Sequence, residues 1–197
     1  MEHLHGLQPR GIVHRDLKAD NVLVTADLAT AKVADFGVAL SMQTIRTAAA
    51  TGAGAGSMTD TLAFKAPETF KDQYSEASDM FSMGVTSFEV GSRGQPFEGE
   101  GQMAILAKLN ARFKVNQRLL KKNISEEEQR EDWLEENPLD ERRPDLNQIE
   151  DGCPPQLLEL VRRCWADTRA ARPTFCGLGD ELLRRAHAGG GGAGVGE

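Results

Sequence analysis

Four side chains close to the start of the chain have types and spacing that could do chemistry on an anionic group. Asp16 is a carboxylate able to accept a proton. Lys18 is an ammonium two positions on, and in an extended loop residues i and i+2 face the same way. Asn21 and Asp35 are oxygen donors of the kind a hard divalent cation such as magnesium prefers. A base, a fixed cation and two oxygen ligands are what a phosphoryl transfer needs. It asks for little covalent help, only a nucleophile held in line and the phosphate charge neutralised.

These residues lie in longer patterns. His14-Arg15-Asp16-Leu17-Lys18-Ala19-Asp20-Asn21 fits H-R-D-L-x-x-x-N at every fixed position, and Asp35-Phe36-Gly37 is an unbroken D-F-G. Ala66-Pro67-Glu68 follows. In this order the three motifs are very specific, and the chain resembles a eukaryotic-type protein kinase. The resemblance implies ATP and Mg2+ as cofactors and a protein as the phosphate acceptor. It gives Asp16 the role of base, sets Lys18 on the transferring phosphate and makes Asn21 and Asp35 the magnesium ligands. His14 then stacks beneath Phe36 as a packed residue, and Arg15 awaits a phosphate on the segment between Asp35 and Glu68, which a guanidinium grips in bidentate fashion. Lys18 after Leu17 favours Ser/Thr over Tyr as the acceptor.

Composition sets the bounds. The 197 residues suffice for about one domain with a sizeable core. With 40% hydrophobic and 27% charged residues the chain reads as an ordinary soluble globular protein. A net charge of −7 argues against unspecific nucleic-acid binding. No apolar run reaches membrane-span length and no signal-peptide pattern opens the chain. Cys153, Cys164 and Cys176 lack metal-ligand spacing and read as reduced thiols, so a cytoplasmic (intracellular) location is expected.

The elements that must position the site follow in order. Met1, Leu4 and Leu7 have the spacing of a helix end, with Gly6 as terminator. Ile12-Val13, Val22-Leu23-Val24 and Lys32-Val33-Ala34 read as short strands, with Thr25–Thr30 a hairpin turn between the last two. Asp16 and Asn21 therefore sit on a loop between strands, and Asp35 closes one. From Val38 to Lys65 the pattern dissolves. Residues 47–57, almost wholly Ala, Gly and Thr, are expected to be a floppy loop. By resemblance 35–68 is the activation segment, with Thr44, Thr47, Thr51, Ser57 and Thr59 as candidate phosphoacceptors and Thr61 as a substrate-docking threonine. Asp60 stands where the family has glycine.

Ser75 to Gly91 reads as a core helix, Ser75 capping it and Gly91 stopping it, with apolar residues around much of its circumference. Asp79 among them must be hydrogen-bonded. The resemblance assigns it the backbone N–H groups of the catalytic loop. Met103 to Leu109 reads as an amphipathic helix. Residues 112–150 are an acidic insertion read as solvated and partly helical, or as a docking element for a partner with Trp133 as anchor. Pro154-Pro155 opens a helix with Leu157, Leu158, Val161, Cys164 and Trp165 as its stripe. Cys164-Trp165-Ala166-Asp167 and Arg172-Pro173-Thr174-Phe175 resemble the ending of tyrosine kinases and tyrosine-kinase-like Ser/Thr kinases, with Thr168 in place of proline. That resemblance pairs Arg172 with Glu68. Thr174 caps a last helix with Phe175, Leu178, Leu182 and Leu183 inward, and 188–197 is a flexible Gly-rich tail.

No V-A-x-K occurs in the chain, and its one G-x-G-x-x-G, residues 189–194, lies in the Gly-rich tail after the catalytic motifs rather than behind a small-lobe strand. The expectation is a mainly α (α+β) fold: residues 1–187 as the C-terminal, large lobe of a kinase domain, with short β hairpins carrying the catalytic and metal loops. As a fragment lacking the N-terminal lobe it should be inactive alone. The alternative is a non-catalytic kinase-like lobe that binds proteins.

Overall fold

One helix, α2, Glu76–Ser92, organises the structure, a computed structural model that describes residues 1–7, 11–41, 62–101, 103–108, 143–166 and 168–189. Its start follows from local chemistry. Ser75 is extended, and its N–H donates to Ser78 Oγ at 3.0 Å, while the N–H groups of Ser78 and Asp79 return to the Ser75 carbonyl. Gly91 does not stop the helix. It lies inside, where an added Cβ would meet Ile149, Leu157 and Cys153 at 3.4 to 3.5 Å, and the chain turns at Arg93 in the left-handed region, φ 52°. Gly91 is small for packing, not for termination.

The helix is buried around most of its surface, as its all-round apolar pattern requires. Phe81, Val85 and Phe88 form the main core with Phe64, Val161 and Trp165. Gly84 lets helix α4, Pro155–Cys164, approach: a Cβ there would sit 2.9 Å from Cys164 Cβ. Met80 and Cys164 bury a second cluster against Leu178 of helix α5, Phe175–Gly189. Thr174 Oγ1 accepts from the Gly177 N–H at 3.0 Å and so caps α5. The expected inward face of α5 fails beyond its second turn. Phe175 and Leu178 are covered, whereas Leu182 and Leu183 are 48% and 61% exposed, because α5 runs past the core it packs on. Its last described residue, Gly189, lies beyond the expected start of the tail at 188.

A short helix α1, Glu2–His5, precedes strand β1, Ile12–Val13. Strands β2, Val22–Val24, and β3, Ala31–Val33, pair antiparallel in the register Val22↔Val33, and Thr25–Thr30 closes the hairpin. β1 pairs instead with β4, Leu40–Ser41, a strand inside the stretch where the sequence pattern dissolves. Residues 103–108 form helix α3, whose Ile105 packs with Leu62 and Phe97. The 112–150 stretch is described only from 143 on. There it is no solvated insertion: Asp145 Oδ1 caps the turn Leu146–Gln148, and Ile149 enters the main core. Trp133 lies outside the described residues.

Candidate active site

The loop after β1 hangs from the buried Asp79 of α2. Oδ2 accepts from the His14 N–H at 2.8 Å, and Oδ1 accepts from the Arg15 N–H at 2.9 Å. A third donor, His5 Nε2 at the end of α1, reaches Oδ2 at 2.9 Å. Three partners offset the desolvation that burying a carboxylate costs. His14 is equally enclosed. Its Nε2 lies 2.9 Å from the Ala34 carbonyl, its Nδ1 lies 3.3 Å from the Asp16 N–H, and its ring meets the Phe36 ring edge-on at 5.0 Å. A carbonyl only accepts and an amide N–H only donates, so the ring is held as the Nε2–H tautomer. Both nitrogens are used by the backbone, which leaves His14 positioning the loop rather than handling a substrate proton.

Asp16 is brought together with two sequence-identified partners. Lys18 Nζ lies 3.2 Å from Oδ2. Asn21, at the end of a single 3-10 turn over Ala19–Asn21, donates from Nδ2 to the Asp16 carbonyl at 2.7 Å and to Oδ2 at 3.3 Å. Because the amide nitrogen is committed to Asp16, Oδ1 is the atom left for a cation. The Ala34 N–H donates to the Asn21 carbonyl at 2.8 Å, which ties the D-F-G segment to the catalytic loop just before Asp35. Asp35 is exposed and left-handed, φ 59°, a conformation Asp tolerates better than most residues, and its Oδ1 accepts from the Gly37 N–H at 3.2 Å. One amide oxygen and one exposed carboxylate fit magnesium, which completes its shell with water and phosphate oxygens rather than an all-protein cage. Among the described residues no cluster of three His, Cys, Asp or Glu side chains offers such a cage.

Arg15 adopts φ 72°, unusual for a bulky residue. Its guanidinium lies 4.2 Å from the Tyr74 ring centroid, and Nη1 donates to the Val38 carbonyl at 3.1 Å. Glu68 and Arg172 form a bidentate pair: Nη1 to Oε1 at 2.6 Å and Nη2 to Oε2 at 3.0 Å. Thr61, Asp60 and the candidate phosphoacceptors Thr44, Thr47, Thr51, Ser57 and Thr59 lie outside the described residues.

Two residues at the site carry no sequence signal of their role. His5 sits in a four-residue helix whose spacing speaks only of helix, and only the fold brings it to Asp79. Lys65 falls just before Ala66-Pro67-Glu68, at no fixed position of any motif. In the fold it donates to the Arg15 carbonyl, and its Nζ lies 3.6 Å from Asp16 Oδ1. Burial pulls the Lys65 ammonium below its ordinary value, and the Asp16 carboxylate partly offsets this.

Comparison with known proteins gives the family. The family model described as "Protein kinase domain" matches residues 1–182. Human mitogen-activated protein kinase kinase kinase 7 is 31% identical over 174 residues, 88% of this chain and 22% of its own length. A probable LIM domain-containing serine/threonine-protein kinase of Dictyostelium discoideum is 28% identical over 188 residues, 93% of this chain and 15% of its own. A serine/threonine/tyrosine-protein kinase of Arabidopsis thaliana is 28% identical over 179 residues, 90% of this chain and 35% of its own. The chain thus spans only a minor part of each relative.

Proposed function

The chain belongs to the protein kinase family, and on that premise we propose that residues 1–187 are the large lobe of a Ser/Thr protein kinase that transfers the γ-phosphate of ATP to protein hydroxyls. The observation that carries this reading is the setting of Asp16: one carboxylate oxygen faces Lys18 and Asn21, on a loop whose backbone is bonded to a buried Asp. Asp16 orients the acceptor hydroxyl and takes its proton as the phosphoryl group passes to that oxygen and ADP leaves. Lys18 offsets the charge on the transferring group, and Asn21 Oδ1 and the Asp35 carboxylate hold the cation. Magnesium held there would supply the positive charge that neutralises the phosphates. Arg15 is the receptor for a phosphate on the activation segment, 35–68, which docks substrate through Thr61. A lobe that merely docks partners would leave these four side chains without a task, so the catalytic reading stands ahead of the binding-module one.

The proposal extends to the chain as it stands. Leu23, Val24 and Phe36, 62%, 53% and 45% exposed, belong to the surface that a small lobe would cover. With no G-x-G-x-x-G outside the tail at 189–194 to clamp the phosphates, these residues alone do not turn over ATP. Three unpaired cysteines support a reducing, intracellular setting. Among the described residues no helix is long and apolar enough to cross a membrane.

The test joins residues 1–197 behind a kinase small lobe and measures radiolabel transfer from Mg-ATP. Asp16→Asn and Asp35→Asn should each lower transfer by about 100-fold or more. Near-wild-type transfer by Asp35→Asn would overturn the site assignment. Calorimetry on residues 1–197 alone should show no micromolar ATP binding, and turnover by this bare chain would refute its inactivity.

A further inference from the structure

We infer that Lys65 is a positioning residue for Asp16, and that through it the end of the activation segment holds the catalytic loop in its working form. This rests on the kinase reading above for the meaning of Asp16, but its geometry is independent of it. The peptide at Arg15 is gripped from both sides. Asp79 takes its N–H from within the core, and Lys65 donates to its carbonyl from the segment side. Between these two holds Arg15 stays at φ 72°, a backbone state that persists only where its surroundings over-determine it.

The carboxylate of Asp16 is divided in the same way. Oδ2 faces Lys18 at 3.2 Å and Asn21 at 3.3 Å, and Oδ1 faces Lys65 at 3.6 Å. The two lysines therefore fix the rotation of the carboxylate, each from a different stretch of chain. Lys18 is local and stays with the loop. Lys65 stands three positions before Glu68, which the Arg172 pair anchors to the core. Its side chain is only 11% exposed, so its ammonium is committed to these two partners rather than to water. Docking of the segment end is thus read directly at Asp16, over and above anything the segment does for substrate. Release of Lys65 would remove its hydrogen bond from the Arg15 carbonyl and its ammonium from beside Oδ1.

The first measurement uses the chain of 197 residues as it is. Hydrogen exchange followed by mass spectrometry reads the amides of His14, Arg15 and Asp16 in wild type, Lys65→Met and Lys65→Arg. Lys65→Met should speed exchange there several-fold without a matching fall in melting temperature, and Lys65→Arg should restore most of the protection. In parallel, the rate at which an amine reagent labels Lys65 should rise several-fold in Asp16→Asn, because loss of the carboxylate removes what stabilises the ammonium. Unchanged exchange in Lys65→Met together with unchanged labelling in Asp16→Asn would overturn the inference. So would a loss of protection spread evenly over the whole chain, which would mark Lys65 as a packing residue only. The second measurement is turnover in the chain joined behind a small lobe. Lys65→Met should lower kcat about tenfold, leave KM for ATP unchanged, and be rescued by Lys65→Arg. Equal kcat in Lys65→Met and wild type would refute the catalytic half. Absence of turnover in the wild type would instead overturn the kinase reading, with the exchange result still deciding the anchoring role of Lys65.

Discussion

Removing the Glu68 carboxylate should be among the most damaging single changes outside the catalytic loop. The side chains of Arg172 and Glu68 are 0% and 7% exposed, so Glu68→Ala strands a guanidinium where water does not reach. Breaking a buried pair by deleting one partner costs about 3–5 kcal/mol. The lower part of that range applies here, because Arg172 keeps two other acceptors: Nε on the Ala166 carbonyl at 2.8 Å and Nη1 on the Ala77 carbonyl at 2.9 Å. It also keeps the Phe81 ring face at 5.0 Å. About 3 kcal/mol in a domain of this size corresponds to a fall in Tm of about 6–12 °C. The control is Glu150→Ala. That residue pairs with Arg93 across a surface where the two side chains are 50% and 78% exposed, and its loss should stay within about 1 kcal/mol. Thermal and urea unfolding of the 197-residue chain measure both. Replacing both partners with apolar residues, Glu68→Leu with Arg172→Met, should recover part of the loss. Comparable shifts for Glu68→Ala and Glu150→Ala would refute the reasoning, since burial would then not be what makes the first pair matter.

Gly84→Ala should destabilise the chain even though alanine is the better helix former by about 1 kcal/mol. The new Cβ would stand 2.9 Å from Cys164 Cβ and 3.2 Å from Trp165 N, so α2 and α4 must part, at a cost of about 1–3 kcal/mol. A raised urea midpoint would contradict this. Burial pushes the Cys164 thiol up to about 12. The unfolded chain then loses this proton first as pH rises, so the contribution is intact below about pH 9 and is lost between pH 9 and 12. By pH 10 the wild type should lose about 1 kcal/mol more stability than Cys164→Ala does over the same interval. Parallel pH profiles would refute this. Iodoacetamide should likewise modify the exposed Cys176 well before Cys164, and equal labelling of the folded chain would show that Cys164 is not enclosed.

The candidate site was legible through the resemblance, whose motifs H-R-D-L-x-x-x-N and D-F-G pick out Asp16, Lys18, Asn21 and Asp35. Asp16, Lys18 and Asn21 lie within six residues of one loop, and a loop of that length sets their relative placement almost unaided. The central helix was equally legible: Ser75 and Ser78 cap it through atoms three residues apart, and its apolar positions wrap all round, which only a buried helix tolerates. Contacts across long stretches of chain were not legible from the residues themselves; the resemblance supplied those of Asp79 with the His14 and Arg15 N–H groups and of Arg172 with Glu68. A two-residue strand has no periodicity, so nothing in Leu40-Ser41 announced its pairing with Ile12-Val13. Gly91 has the composition of a helix stop, yet Ile149 and Leu157, far along the chain, make it a packing position. Leu182 and Leu183 have the spacing of a buried stripe, but spacing specifies a face and not how far the core beneath it extends. His5 and Lys65 are the sharpest cases. Each is a common polar residue whose task exists only once Asp79 and the end of the activation segment are folded against the loop. Read with the resemblance, the sequence nominated the side chains for a phosphoryl transfer. Tertiary structure alone decided the holds made by His5 and Lys65, because a hydrogen bond between residues fifty or more positions apart leaves no local trace in either stretch.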